Sequence, residues 1–575
     1  MRKKLLLSAI LVSLTCLVMQ AQNNIPDTLF AKDGVLEYST TDPSELLGIM
    51  LRTPDGKIVC GGYDFDNSLN AFYIDLLRFD VCGTVDSGFG IDGKVRYKFD
   101  QRNTAYAFAV QPDNKIICGG LQAPSNAGSE QFSYVCRFNS DGSPDSSFNG
   151  TGTNRLTYSS GSPSQFNSVH VLPDGRIICM GNNGFTGFSA MRFLANGTLD
   201  ATFNGDGQFT YQSPAFAGLE KPTGHVLPAG KILITSVAYD PSFNSHFAAI
   251  QVDSTGRVDS TYGNSGVYFS STVPAGAGSI PHASALTAGN QLVIAGNIDV
   301  NGIDIIRVTP EGIIDSAFGV NGRTNFPVAQ TTVKGLTILA NGSILVHGAY
   351  PQGFGIGFII MLKPNGAIDS LFGTNGLRLF YFGGSNLARA VEDLIELPDG
   401  SWLSSTSSFD FVFMKTVNQS NVPHITETAG TLSTTGTGIY QWYFNDTLIA
   451  QASQSTLSVS QKGNGSYTVL LTSVDGCSYL SDSLVVTDAV LSGISHIEHT
   501  GMVVFPNPAK YMVTIKTDLS HVGSAYTLTD PVGRIVLCGI IASEAINLNI
   551  SNLATGVYWL KTDQQMNHPV TIVKE

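Results

Sequence analysis

The sequence predicts an all-β protein, and three observations predict it. Seven copies of one short phrase run through the first two thirds of the chain, each an Asp, two variable residues and an aromatic. They are Asp27-Thr-Leu-Phe30, Asp86-Ser-Gly-Phe89, Asp145-Ser-Ser-Phe148, Asp200-Ala-Thr-Phe203, Asp259-Ser-Thr-Tyr262, Asp315-Ser-Ala-Phe318 and Asp369-Ser-Leu-Phe372, spaced by 59, 59, 55, 59, 56 and 54 residues. A fixed period of this kind is one supersecondary unit repeated head to tail. Charged residues make up only 13% of the 575-residue chain while glycine numbers 61, the profile of short strands joined by tight turns. Beyond the N-terminus no stretch shows sustained helical periodicity.

Each unit carries a second anchor, a turn leading into an apolar strand. It reads Pro54-Asp-Gly-Lys-Ile58, Pro112-Asp-Asn-Lys-Ile116, Pro173-Asp-Gly-Arg-Ile177 and Pro228-Ala-Gly-Lys-Ile232, then more loosely Ala288-Gly-Asn-Gln-Leu292, Ala340-Asn-Gly-Ser-Ile344 and Pro398-Asp-Gly-Ser-Trp402. Proline presets the first turn position, and Gly or Asn supplies the positive φ that closes a hairpin. A third anchor is a strand ending in a basic and an apolar residue: Leu77-Arg78-Phe79, Cys136-Arg137-Phe138, Met191-Arg192-Phe193 and Ile306-Arg307-Val308. In the sixth unit Lys363-Pro364 stands where that pair is expected, and Trp402 enters the strand of the seventh.

One unit therefore holds about four strands in under 60 residues, the content of one propeller blade. Seven units between about Asp27 and Val417 predict a seven-bladed β-propeller, placed at 22–418. A closed ring removes the sheet edges that an open stack would expose, and solenoid coils have shorter periods, about 20 to 30 residues. The same residues resemble the delta-60 repeat family, most strongly in the first three units. That resemblance implies a surface protein and supports the fold without naming a reaction.

The N-terminus, Met1-Arg-Lys-Lys4 followed by apolar residues to Met19 and then Gln20-Ala-Gln22, has the three-part form of a secretory signal peptide, with cleavage expected after Ala21. The apolar run of about 15 residues is shorter than the roughly 20 that a spanning helix needs. Seven cysteines would follow cleavage, an odd number, so not all can pair within the chain. Cys60, Cys118 and Cys179 fall at one repeat position and read as small buried apolar residues. The net charge of −13, with no stripe of Lys and Arg, speaks against a nucleic-acid partner.

After Val417, Asn418-Gln-Ser-Asn-Val-Pro423 reads as a linker. Residues 424–488 contain Tyr440-Gln-Trp442 and Gly465-Ser-Tyr467, a core Trp and a corner Tyr as an immunoglobulin-like β-sandwich uses them. They resemble the Ig-like spacers of bacterial surface proteins, although Cys477 stands alone and the usual inter-sheet disulfide is missing. Residues 494–575 carry Phe505-Pro-Asn-Pro508, Asp530-Pro-Val-Gly-Arg534 and Leu553-Ala-Thr-Gly-Val-Tyr558. In that order and at the end of the chain they resemble the type A C-terminal sorting domain of the type IX secretion system. The resemblance implies a second β-sandwich, a Bacteroidetes-type bacterium, export across the outer membrane, and a product secreted or held at the cell surface.

Chemistry is harder to find. His170, His225, His246, His282 and His347 occupy different positions in their units, and no zinc, nucleophile-elbow or phosphate-loop motif is present. The sequence therefore singles out no catalytic and no cofactor-binding residue. Asp64-Phe-Asp66-Asn67 and Asn204-Gly-Asp206-Gly207 gather the oxygen ligands that calcium prefers without completing a calcium loop, so metal binding stays open. The repeated Asp is expected to cap its own turn. Phe89, Phe148, Phe203 and Phe318 read as core wedges, and Trp402, Trp442 and Trp559 as packing residues. Ligand specificity is expected in the loops that differ between units, 121–131, 238–246 and 349–355. The favoured expectation is a binding or adhesion protein that presents a protein- or glycan-binding face; the alternative is a secreted hydrolase or lyase acting on polysaccharide.

Overall fold

The computed structural model describes residues 24–27, 30–31, 35–39, 46–66, 68–100, 102–123, 131–156, 164–184, 186–213, 216–270, 282–299, 302–328, 331–350, 356–381, 390–407, 410–418, 422–459, 462–474, 476–487, 502–517, 521–531, 534–562 and 570–575. The expected signal peptide lies outside them. Among the described residues the regular structure is strand, apart from two single turns of 3₁₀ helix at Phe148–Gly150 and Pro228–Gly230.

Each repeat unit folds into a four-stranded antiparallel meander whose two middle strands are buried along most of their length. In blade 1 the strands are Leu46–Arg52, Ile58–Asp66, Ala71–Phe79 and Lys94–Tyr97, hydrogen-bonded in that order. Blades 2 to 6 repeat the meander over 103–156, 164–212, 218–269, 282–326 and 332–381. The first strand of each blade packs against the first strand of the next, all the way round to Asp393–Glu396 of blade 7 and back to Leu46–Arg52. These inner strands line the axis of a closed seven-bladed β-propeller.

Blade 7 shows how the ring closes. Its inner three strands, Asp393–Glu396, Trp402–Ser407 and Asp410–Asn418, come from the end of the repeat region. Its outer edge is supplied by the N-terminal strands Asn24–Pro26 and Val35–Ser39, which both pair with Asp410–Asn418 in the registers Asn24↔Asn418 and Val35↔Met414. The Asp27 phrase therefore belongs to blade 7, although it precedes blade 1 in sequence. Across the same junction Ser405 Oγ donates to the Gly48 carbonyl at 2.5 Å, and the Met50 amide donates to Asp393 Oδ2 at 2.8 Å.

Blade faces meet in apolar cores. Ile74, Leu76 and Phe89 of blade 1 pack with Phe108, Ile116 and Tyr134 of blade 2, and Met180 and Phe203 of blade 3 with Ile232 and Ile250 of blade 4. Each fully buried side chain of this size contributes about 2 kcal/mol. Cys60, Cys118 and Cys179 lie buried and unbridged in these cores. The inner strands of blades 2 and 3 each bulge, between Ala105 and Ala107 and between Phe166 and Ser168. Opposite them a Cβ at Gly120 or Gly181 would collide with the Thr104 or Gln165 carbonyl, so the bulge requires glycine there.

One correction concerns blade 6. The residues equivalent to Arg78-Phe79 are Met361-Leu362 at the end of the strand Ile356–Leu362, and Lys363-Pro364 belong to the following turn.

Residues 425–486 form a three-stranded and a five-stranded sheet. Trp442 and Tyr467 sit fully buried between them; the Trp442 indole donates to the Gln454 carbonyl, and the Tyr467 hydroxyl to the Gly463 carbonyl at 2.7 Å. Residues 503–574 form a three-stranded and a four-stranded sheet around Val513, Leu528, Leu560 and Ile572. The first of the three C-terminal phrases works here as fastening: Asn507 accepts from the Val573 amide and donates to the Thr571 carbonyl, tying the last strand. Asp530 caps the Arg534 amide, and the Tyr558 hydroxyl donates to the Ala554 carbonyl. It is Tyr558 that points inward; Trp559, expected as a packing residue, is half-exposed.

The isolated Cys477 has a partner that sequence spacing concealed. It forms a disulfide with Cys82 of blade 1, 395 residues away. Beside the bridge the buried Lys415 ammonium lies 3.5 Å from Asp27 Oδ2 and donates to the Tyr479 hydroxyl at 2.9 Å. The 425–486 sandwich is thus joined to blade 1 by a covalent bond and to blade 7 by a polar one.

Candidate functional site

The meander gives the ring two unlike rims. One carries the short Pro-Asp-Gly turns and the Asp phrases; the other carries the loops between the second and third strands and those that pass to the next blade.

On the turn rim the repeated Asp does two jobs. Its Oδ1 caps the amide two residues on, as in Asp145 to Ser147, Asp200 to Thr202 and Asp259 to Thr261. Its Oδ2 receives the Arg eight residues earlier: Arg78 to Asp86, Arg137 to Asp145, Arg192 to Asp200 and Arg307 to Asp315, with Nε–Oδ2 distances of 2.7, 2.7, 2.7 and 2.8 Å. Each guanidinium then bridges to the following blade, donating to the carbonyl of Ser140, Ala195, Ser254 or Pro364. Each also lies over the ring of its own phrase, 4.3 to 4.8 Å above Phe89, Phe148, Phe203 or Phe318. In blades 1, 2 and 3 a cation from the preceding turn, Lys57, Lys115 or Arg176, joins the same carboxylate.

The electrostatics follow from this geometry. Burial works against ionisation of Asp200, but hydrogen bonds from Thr202 and Arg176 and the charge of Arg192 outweigh it and hold the carboxyl down at about 2. Asp145 is lowered in the same way by Ser147, Lys115 and Arg137. The Lys231 hydrogen bond is the main reason that Asp259 is lowered. The repeated phrase is thus an inter-blade clamp, and its residues are committed to structure.

The loop rim is where side chains are left for a ligand. At blades 1 and 2 it gathers half-exposed aromatic rings: Phe65 and Phe72 at 4.6 Å between centroids, and Tyr63 edge-on to Tyr106 at 5.7 Å. Burial, with a smaller effect of Tyr106, pushes the Tyr63 hydroxyl up to about 12, so it remains a hydrogen-bond donor. On the other face of the same hairpin Arg96 lies 4.1 Å over Tyr73, and Lys98 is 5.0 Å from that ring. Arg102 stands 5.9 Å from Phe72. Sequence reasoning passed over this patch. Its signal was the interleaving of basic and aromatic residues in Phe72-Tyr73 and Arg96-Tyr97-Lys98-Phe99.

The candidate calcium ligands are engaged otherwise. Asp64 Oδ2 is 2.5 Å from Arg96, and Asp66 Oδ1 caps the Ser68 and Leu69 amides. Asp206 caps Gln208, and the Asn204 amide donates to the Gln208 carbonyl. Asn67 lies outside the described residues. Among the described residues no three His, Cys, Asp or Glu side chains assemble as metal ligands.

The histidines do not converge on one site among the described residues. His170 Nε2 donates to the Gly224 carbonyl at 2.7 Å, and His347 Nδ1 to that of Val391 at 3.0 Å. His225 Nε2 meets Ser284 Oγ at 2.8 Å, joined there by Thr235. Burial, reinforced by His170, brings His225 down to about 3, a poor general base at neutral pH. His246 stacks on Phe269 with Nε2 3.3 Å from Asp240 in the 238–246 loop. His282 begins the inner strand of blade 5, and its side chain lies outside the described set. Of the other two candidate loops, 124–130 and 351–355 lie outside it as well.

Residues 503–574 match the family model described as the secretion system C-terminal sorting domain. The chain carries a type IX sorting tail. It marks a protein exported through type IX secretion to the cell surface or extracellular space, and it implies contact with that secretion machinery. Residues 111–148 and 172–203 match the β-propeller domain of unknown function DUF5122. No curated protein matches the chain. Among solved structures, a protein of unknown function from Dyadobacter fermentans is 11% identical, with 67% of this chain and 99% of that one covered and a TM-score of 0.37. The α-L-arabinofuranosidase Arb93A of Fusarium graminearum is 12% identical over 63% and 98%, at 0.35. PorZ, a surface component of the type IX secretion system of Porphyromonas gingivalis, is 11% identical over 94% and 100%, at 0.19. At these scores none bears on function. No helix among the described residues is long and apolar enough to cross a membrane.

Proposed function

We propose that the exported chain is a binding or adhesion protein, and that the loop rim of blades 1 and 2 is its ligand-facing surface. The observation that carries this reading is the contrast between aromatics. Those of the repeated phrase are buried, four of them under arginines, whereas Phe65, Phe72, Tyr73 and Tyr106 are half-exposed on one rim beside Arg96, Lys98 and Arg102. Flat apolar rings ringed by donors suit the apolar faces and hydroxyls of a sugar, so a glycan is favoured over a protein as the ligand.

In this reading residues 1–21 are a signal peptide, 22–418 a propeller of delta-60-like repeats, 424–488 an Ig-like spacer, and 494–575 the sorting domain removed or used for anchoring on export. The buried Trp442 and the Tyr467 corner bond support the Ig-like assignment. Disulfide formation between Cys82 and Cys477 suits an exported protein.

The test is binding of the exported chain to a glycan array, repeated with Phe72→Ala and Tyr73→Ala. Loss of roughly tenfold or more in affinity, equivalent to about 1.4 kcal/mol, with an unchanged melting temperature is expected. Glycan binding that both variants retain would place the site elsewhere. Binding only to protein ligands would overturn the glycan reading.

A further inference from the structure

At the junction of blades 4 and 5 the clamp lacks its arginine. Gln251 occupies the position of Arg78, Arg137, Arg192 and Arg307, eight residues before the repeated Asp, and Tyr262 replaces the phenylalanine. The backbone is unchanged: the Asp259 amide bonds to the Gln251 carbonyl, and the Gly263 amide to the Glu311 carbonyl of blade 5, as in the other clamps. What differs is the space. A cavity of about 240 Å³ opens here, several times the ~30 Å³ of one water in the liquid. Gln251, Tyr262, Lys231, Thr309 and Pro310 are among its walls, and Pro310 is exposed at its edge.

Two of those walls, Tyr262 and Pro310, are the counterparts of groups that hold a guanidinium in the other four clamps, and the clamp carboxylate, Asp259, is bonded to a third, Lys231. Pro310 precedes Glu311-Gly312 as Ser140 precedes Asp141-Gly142, so its carbonyl stands where the arginine Nη1 finds its acceptor. The Tyr262 ring takes the place of the phenylalanine beneath the cation. Its hydroxyl is buried and, like Thr309 Oγ1, has no hydrogen-bond partner among the described residues, an arrangement that is unfavourable unless something fills it. Asp259 Oδ2 already holds Lys231 at 2.6 Å. That does not close the site to a second cation, because Asp86 holds Lys57 and Arg78 together and Asp145 holds Lys115 and Arg137.

We propose that the blade 4–5 cavity is a binding site for an alkylguanidinium group supplied from outside the ring, as a small molecule or as the arginine side chain of a partner. The site lies on the turn rim, opposite the aromatic patch, and is independent of any glycan bound there.

The experiment is a thermal-shift titration of the full exported chain at constant ionic strength with agmatine, with an arginine-containing peptide, and with putrescine and a citrulline peptide as controls lacking guanidinium. A ligand that binds only the folded state raises the melting temperature saturably. The expected result is a saturable rise with agmatine and with the arginine peptide, and none with either control. Equal affinities would indicate a small-molecule ligand, and tighter binding of the peptide would indicate a partner's side chain; both support the site. Gln251→Arg, which fills the cavity from within, is expected to melt higher and to lose the response. Gln251→Met, carrying the residue that blade 6 has at this position, should lose the response as well and keeps the test valid if Gln251→Arg does not fold. No response in the wild type, an equal response to the controls, or a response that survives in the variants would overturn the proposal.

Discussion

Blades 3 and 4 have the same strand order, an Asp phrase at the same place and the same amide bond to the next blade, yet their clamps differ in the side chain eight residues before the Asp and in the aromatic of the phrase. Arg192, 3% exposed in its side chain, joins Asp200, the Ser254 carbonyl and the Phe203 ring. Gln251 leaves a cavity. The comparison separates what the repeat needs from what each blade adds. The backbone bonds within the Asp phrase and the capping Asp recur wherever they are described, whereas the position eight residues earlier is free to vary. Met361 in blade 6 packs against the apolar group of Leu339, Phe372 and Trp402. Lys415 in blade 7 turns outward to Tyr479 and so ties the ring to the next sandwich. Departures from the repeat mark the places where the molecule does something besides holding its ring.

The largest effect should come from removing a fully loaded Asp. Asp145→Ala strands Lys115 and Arg137 and is expected to lower stability by about 4 kcal/mol, because the buried guanidinium loses its counter-ion. Asp259→Ala, with only the half-exposed Lys231 to strand, should cost about half as much in the same urea titration. Equal losses would break the contrast between the two kinds of junction.

Cys477→Ser comes next. Losing the link between blade 1 and the 425–486 sandwich is expected to cost about 3 kcal/mol, read as a lower melting temperature that matches the reduced wild type. A wild type insensitive to reductant would argue against the bridge. Acid should then distinguish the clamps from the rest of the surface. Asp86, Asp145, Asp200 and Asp259 have folded-state values below the ordinary 3.8, so the stability they confer is complete above about pH 4. It is lost as pH falls toward 2, where Asp200 takes up its proton. Asp200→Asn should flatten that part of the stability curve, measured by calorimetry from pH 5 to pH 2. The smallest effect is Tyr467→Phe, which deletes only the bond to the Gly463 carbonyl and should cost about 1 kcal/mol.

Much of this architecture was legible in the sequence because it repeats. The Asp phrases, the Pro-Asp-Gly turns and the arginine strands recur at a fixed period, and local turn chemistry gives each a structural meaning. What could not be read were contacts between distant units. Arg192 reaches a carbonyl 62 residues away, and nothing at either position announces the other. Cys82 and Cys477 are single cysteines in unlike modules, so an odd count and an isolated residue concealed a bridge. Ring closure depends on Asn24–Pro26 and Val35–Ser39, strands too short to declare a partner near residue 414. The aromatic patch was overlooked for another reason: Phe and Tyr are so abundant that exposure, which only folding decides, was needed to tell ligand-facing rings from core wedges.

The central claim is that one side-chain position sets the strength of each blade junction while the backbone pattern stays constant. A reciprocal exchange tests it most directly: urea unfolding of Arg192→Gln beside Gln251→Arg. The account predicts that the first loses about 3 kcal/mol and the second gains stability, with both chains keeping the wild-type strand content by circular dichroism. Equal stability of Arg192→Gln and the wild type, or a loss in both exchanges, would contradict it.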